Sequence, residues 1–209
     1  MRDDKTKILV LALARFTDTM GNGFFVVLLP AYLASSRFSL QSDIGPLTLK
    51  QGTLIGICVA IYALASAGLQ RYTGRLSDWA RRRRIFVLVG LGIIGCTSFL
   101  YPLADRYEVV VSLRAIQGVG AALALPASMA IVHEVTDSTD RGGNLGIFNA
   151  VRLLGYVIGP TLGGTLLANG PYRLSIAGRP VGLSGFDIAF PIAGSLAFVS
   201  IHLVLTYVS

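Results

Sequence analysis

The sequence predicts an all-α membrane protein, a single bundle of six transmembrane helices over residues 1–209 with both termini cytoplasmic. Of its 209 residues, 53% are hydrophobic and 14% charged. Its mean hydropathy is +0.66, whereas a soluble domain carries about 25% charged residues. So few charges do not clothe a globular surface, which excludes an ordinary soluble enzyme. The apolar residues also fall into six blocks of roughly 18–26 positions, the length that crosses about 30 Å of hydrocarbon at 1.5 Å per residue. They run continuously rather than alternating over ten residues, so they are helices and not barrel strands.

The first span, Ile8–Leu33, follows the charged start Met1–Lys7 and is interrupted by Arg15 and Asp18. It is too long and too broken for a cleavable signal peptide. Thr53–Gln70 and Ile85–Leu103 form the second and third spans, separated by an arginine run. Val109–Val132 carries Arg114 and Gln117, Leu145–Ala168 carries Arg152 and spaced glycines, and Ile188–Val208 closes the set. Pro30, Pro102, Pro126, Pro160 and Pro191 lie in spans or at their ends, where membrane helices tolerate them. Cys58 and Cys96 sit inside apolar blocks without ligand or disulfide spacing, as small buried residues do.

Orientation follows from the basic residues, which outnumber acidic ones 18 to 11 for a net charge of +7. They sit between the apolar blocks, which points to membrane orientation and away from nucleic acid. Arg2, Lys5, Lys7, Arg71, Arg75, the run Arg81–Arg84 and Arg141 make ten on one side; Arg37, Lys50, Arg106, Arg173 and Arg179 make five on the other. The richer side is cytoplasmic. Arg15, Arg114 and Arg152 are the remaining three, all within spans.

Between spans two and three lies Gly74-Arg75-Leu76-Ser77-Asp78-Trp79-Ala80-Arg81-Arg82-Arg83-Arg84. Read as a short cytoplasmic turn, it uses Gly74 for the reversal, Asp78 for a helix N-terminus and its arginines for the anionic lipid surface. Its order resembles the G-x-L-x-D-R-x-G-R-R signature of the major facilitator superfamily, with Trp79 in place of an Arg and Arg81 in place of the second Gly. In span four, Arg114-Ala115-Ile116-Gln117-Gly118-Val119-Gly120-Ala121-Ala122 resembles the family's R-x-x-Q-G-x-G-A-A segment. In span five, Gly155-Tyr156-Val157-Ile158-Gly159-Pro160-Thr161-Leu162-Gly163-Gly164 is similar to G-x-x-x-G-P-x-x-G-G of its antiporter branch. Phe16-Thr17-Asp18-Thr19 through Pro30 is a weaker match to the drug–proton antiporter pattern. The resemblance covers the whole chain and corresponds to the N-terminal half of a twelve-helix transporter. It implies one bundle of 3+3 inverted repeats, with the substrate site between two such bundles.

An ionisable group near the bilayer centre costs about 2.5–3.5 kcal/mol on insertion scales and needs a partner or a task. Asp18 lies roughly 15 Å deep, where burial penalises its charge and suits it to proton exchange; a structural salt bridge is the other reading, and a nearby arginine would oppose titration. Arg114 sits roughly 9 Å from the outer surface with Gln117 on the same face. Asn22 comes to a similar depth as a hydrogen-bond partner. The resemblance implies that Arg114 modulates protonation of a nearby carboxylate; snorkelling outward is the alternative. Arg15 and Arg152, roughly 10–15 Å in from the cytoplasm, either line the cavity and attract anions or pair with Asp18, which Arg15 reaches at i+3. Gly155, Gly159 and Gly163, spaced by four, give span five a bare face for close helix approach. Pro160 and Gly163-Gly164 loosen it on the outer side, a bend that the resemblance links to sealing the cavity.

Gly90-Leu91-Gly92-Ile93-Ile94-Gly95 fits a dinucleotide fingerprint but lies in a span without a preceding strand. His133, Glu134, Asp137 and Asp140 cluster near the end of span four, yet with two histidines in the chain no metal site is expected. There is no Walker loop, so ATP does not drive the protein directly. The expected activity is proton-coupled export of small amphipathic solutes or drugs, with no cofactor beyond the proton gradient, in the plasma (inner) membrane. Exchange of sugars, phosphate or other anions and a non-transporting membrane scaffold are the alternatives. The expected partners are the lipid bilayer, a small-molecule solute, and a second copy of the chain or a separate C-terminal half. In a homodimer Asp78 would face the start of span five, near Gly142–Leu145, of the other copy.

Overall fold

The computed structural model describes residues 2–34, 42–44, 47–136, 141–176 and 179–208. Arg37, Asp137 and Asp140 lie outside them. Six helices follow in order: α1 (Arg2–Leu33), α2 (Gln51–Ala80), α3 (Arg83–Leu100, continued by a 3-10 turn at Tyr101–Leu103), α4 (Tyr107–Glu134), α5 (Arg141–Ala168) and α6 (Gly185–Tyr207). All six apolar blocks are helical. α2 to α6 are each long and apolar enough to cross a membrane. α1 is less apolar because Arg15, Asp18 and Asn22 interrupt it, though its 32 residues reach about 48 Å.

Two departures from the sequence reading concern the connections. α2 does not end near Gln70 but runs on to Ala80. Gly74 and Asp78 therefore sit on helix, and the reversal falls at Arg81–Arg82, with Arg81 in the left-handed region at φ 49°. Gly74 is not the turning residue. An α-helix satisfies its own backbone and needs no hydrocarbon around it, so nothing stops it at the membrane surface.

Two short antiparallel hairpins also appear where loops were expected. β1 (Ser42–Ile44) pairs with β2 (Leu47–Leu49), and β3 (Tyr172–Ile176) pairs with β4 (Arg179–Leu183). In each, two residues separate the strands in the sequence. α6 then starts on a capping box. The Asp187 amide donates to Ser184 Oγ at 3.3 Å, while the Ser184 amide donates to Asp187 Oδ2 at 2.9 Å, satisfying two orphan donors.

α1 packs along α5 and against α6, α2 along α4, and α3 against both α4 and α6. Exchanging α1 with α4, α2 with α5 and α3 with α6 leaves this pattern unchanged. Glycines permit the closest approaches. A Cβ on Gly155 would meet Phe16 O at 2.6 Å, one on Gly159 would meet Met20 O, and one on Gly163 would meet the Phe24 ring at 2.9 Å. Gly118 of α4 does the same against α2, where an added Cβ would meet Tyr62 O at 2.6 Å. Gly90 and Gly120 bring α3 and α4 backbone to backbone, so the apparent dinucleotide fingerprint is a packing face.

The core is layered. One apolar cluster gathers Leu11, Val87, Ile131, Phe148 and Val204; another gathers Phe25, Leu29, Tyr32, Tyr101 and Phe190. Along α1 the first ends at Ala14 and the second begins at Met20. The fully buried residues between them are polar: Arg15, Asp18 and Thr19.

Candidate functional site

The polar layer is built by the helices that the glycines bring together. Arg15 Nη1 donates to Asp18 Oδ2 at 2.5 Å, with side chains only 8% and 4% exposed. This is the i+3 pair that the spacing permits, and it makes Asp18 one half of a buried ion pair. Arg152 pairs with neither residue. Its Nε donates to Asn149 Oδ1 at 3.3 Å and its guanidinium lies 5.9 Å from the Tyr156 ring centroid. Among the described contacts Arg152 and Arg15 are tied through backbone: Thr19 Oγ1 lies at hydrogen-bond distance, 2.8 Å, from both carbonyls. The two arginines therefore form no joint anion clamp among the described contacts.

Arg114 belongs to a second network. It is 2% exposed, so it does not snorkel. Its Nη1 donates to Gln117 Oε1 and its Nη2 to Asn22 Oδ1, each at 3.2 Å. The guanidinium is flanked by Phe25 at 4.8 Å and Tyr62 at 4.6 Å, close enough for cation–π attraction. Gln117 also accepts from Tyr101 OH at 3.0 Å and donates to Ser98 Oγ at 3.1 Å. Depth matching anticipates Asn22, and helical spacing anticipates Gln117. Phe25, Tyr62, Ser98 and Tyr101 were missed, since their positions depend on which helix faces which. Asp18, Asn22, Tyr62, Arg114 and Gln117 line one cleft among α1, α2, α3, α4 and α6.

At the α2–α3 turn, Arg83 is the hub. It donates from Nη2 to Asp78 Oδ1 at 2.8 Å, pairs through Nη1 with Glu134 Oε1 at 2.5 Å, and reaches Ala130 O at 3.3 Å. Asp78 is thus engaged with an arginine of its own turn, and the turn is fastened to the end of α4. Arg84 Nη2 donates to Leu205 O of α6 at 2.5 Å. Arg81 and Arg82 line the cavity between them, with Lys7. The sequence offers no sign of Glu134 as a partner, because 51 residues separate it from Arg83. In α5, Gly155, Gly159 and Gly163 face α1, Pro160 touches the position a Gly23 Cβ would occupy, and Gly164 faces open space. The helix continues through Pro160 and Gly164. Among the described residues no group of His, Cys, Asp and Glu is placed to hold a metal.

A model of the Major Facilitator Superfamily matches residues 11–208. The quinolone resistance protein NorA of Staphylococcus aureus (strain MRSA252) is 27% identical over 158 residues, which are 76% of this chain and 37% of that protein. Multidrug resistance protein 2 of Bacillus subtilis is 25% identical over 170 residues, 81% of this chain and 39% of that protein. The chain therefore spans well under half the length of these relatives.

Proposed function

Because the chain belongs to the major facilitator superfamily, a family of membrane transporters and not of enzymes, we propose that it is one bundle of a proton-coupled exporter of small amphipathic solutes, drugs included. The observation that carries this reading is the buried Arg15–Asp18 pair in the polar layer, opening on the same cleft as Arg114. A carboxylate in a membrane interior is a proton carrier when its charge can be exchanged between a partner and a proton. The names of the two relatives, which refer to quinolone and multidrug resistance, favour drugs as the solute class. The exchange-invariant helix packing supports a 3+3 inverted repeat. The basic excess around the α2–α3 turn supports cytoplasmic termini in the plasma membrane.

Transport by alternating access needs a second bundle, and we assign that role to a second copy of the chain. Support comes from α2 and α5, which leave Leu64, Tyr72, Leu153 and Val157 exposed on their unpacked faces. Two bundles related by an axis along the membrane normal share one topology, so neither copy has to invert.

The test is proton flux in proteoliposomes containing this chain, with a panel of cationic, neutral and anionic solutes, wild type beside Asp18→Asn. Solute-dependent flux in the wild type that disappears in the variant is the expected result. Flux that survives Asp18→Asn removes the proton from Asp18. A single copy per active particle, counted by photobleaching, removes the homodimer.

A further inference from the structure

The hollow at the α2–α3 turn is far roomier than the cleft around Arg114. It measures about 460 Å³ and lies among the turn, the start of α1 and the ends of α4 and α6. Ile131, Val135 and Val208 supply its apolar wall. Its charge is uneven. Lys7 and the run Arg81–Arg84 line it against Asp78 and Glu134, an excess of three positive charges among the described residues. Both carboxylates are already held by Arg83. Arg81 and Arg82 make no ion pair or side-chain hydrogen bond among the described residues. Arg84 donates from Nη2 to a neutral carbonyl, Leu205 O, while its Nε is buried without a partner. The N-terminus of α3 opens at the same place, with Arg82 as N-cap, no side-chain cap and no acidic residue in its first turn. Its orphan amides add to the positive field. Arg81 keeps a left-handed φ of 49°, and strain of that kind collects at functional sites.

We propose that this hollow binds a phosphate group as its dianion, held by Arg81, Arg82 and Arg84 with help from the α3 N-terminus. Three uncompensated charges exceed what one carboxylate needs and suit a phosphate monoester, which carries about −1.5 to −2 at neutral pH. Guanidinium forks match phosphate oxygens in pairs, and a concave wall focuses the field that open water would screen. The volume falls in the range of organic-ligand pockets, about 300–1,000 Å³. The phosphate is therefore one end of a larger molecule, a lipid headgroup or a soluble phosphate ester. The site does not depend on the exporter reading.

The experiment uses the full chain in phosphatidylcholine nanodiscs and equilibrium binding of radiolabelled inorganic phosphate at about pH 8, where the dianion dominates. Saturable binding that an equal concentration of chloride does not displace is the expected result. Combining Arg81→Gln with Arg82→Gln should weaken it at least about tenfold. Combining Arg71→Gln with Arg75→Gln removes the same charge from exposed positions of α2 outside the hollow, and should leave binding within about twofold. Discs containing phosphatidic acid, beside discs with as much phosphatidylglycerol, then separate the two sources. Weaker phosphate binding with phosphatidic acid than with phosphatidylglycerol assigns the site to a lipid headgroup; equal binding assigns it to a soluble ester. If the wild type shows no saturable binding up to about 10 mM phosphate, or chloride competes equally, the proposal falls whatever the variants do. Equal losses in the two double variants would also overturn it, by reducing the site to a general positive surface.

Discussion

Arg83 and Arg114 are both hubs, and they are provisioned in opposite ways. Arg83, at the α2–α3 turn, has two carboxylates within reach, Asp78 and Glu134, whose side chains are 60% and 62% exposed. Arg114 is buried in the middle of the bundle and has none among the described residues. Electrostatics alone would arrange the reverse, because water already screens the first charge and cannot reach the second. The difference separates two uses of arginine. At the surface the pairs fasten a turn to the end of α4, a mechanical task that several weak contacts perform. In the interior the charge is held by neutral groups, which orient it without neutralising it. Arg15 stands between the two cases, buried like Arg114 and paired like Arg83.

The sharpest test uses Arg15. Arg15→Leu leaves Asp18 without its partner in the polar layer, and should cost about 3–5 kcal/mol, read as a large fall in the denaturation midpoint in detergent. Adding Asp18→Asn should restore most of that loss; a double variant no better than the single one would mean that the pair is not the source. Next comes the glycine face that closes the layer. Gly155→Val should cost about 1–3 kcal/mol by overpacking α5 against Phe16 and Met20, measured by the same melts. If it melts like the wild type, the α1–α5 approach is looser than the backbone contacts require.

At the surface the effects shrink. Arg81→Gly should stabilise by about 1 kcal/mol, because the left-handed conformation at φ 49° is unfavourable for a side chain and natural for glycine. A lower melting temperature in that variant would show that the Arg81 charge outweighs its backbone. Glu134→Gln should cost about 0–1 kcal/mol, and the difference should fade in high salt. Comparably small should be the folding cost of Arg114→Met, roughly 1 kcal/mol or less, since an apolar chain of similar length replaces an unneutralised cation. Should Arg114→Met prove as costly as Arg15→Leu, the contrast between a paired and an unpaired buried arginine is lost.

The sequence reveals most where a single physical constraint dominates. Hydrocarbon thickness sets the length of an apolar run, so all six helices are readable from hydropathy. Outside the bilayer that constraint vanishes, and α2 runs ten residues past its apolar block unannounced. Strands of three to five residues are too short to register beside such blocks, so both hairpins go unseen. In the site, contacts within one turn of helix are legible: Arg15 with Asp18, Arg114 with Gln117. Asn22 is legible through depth alone. Glu134, Tyr62 and Tyr101 are not, because each reaches its arginine or amide only after particular helices have chosen each other as neighbours. The replacement of a family glycine by Arg81 was visible as an oddity, and its cost emerges only from the backbone angle.

Trp79 is the chain's one tryptophan, and it stands 84% exposed on the last turn of α2, two residues before the reversal. Intrinsic emission excited at the indole band therefore has a single address. Its wavelength reports whether that turn sits in water or among lipid headgroups, where indole rings settle. Brominated or spin-labelled lipids would turn the same light into a depth gauge. The protein thus carries its own optical sensor beside the arginine-fastened turn, and movement of that turn can be followed without attaching a dye.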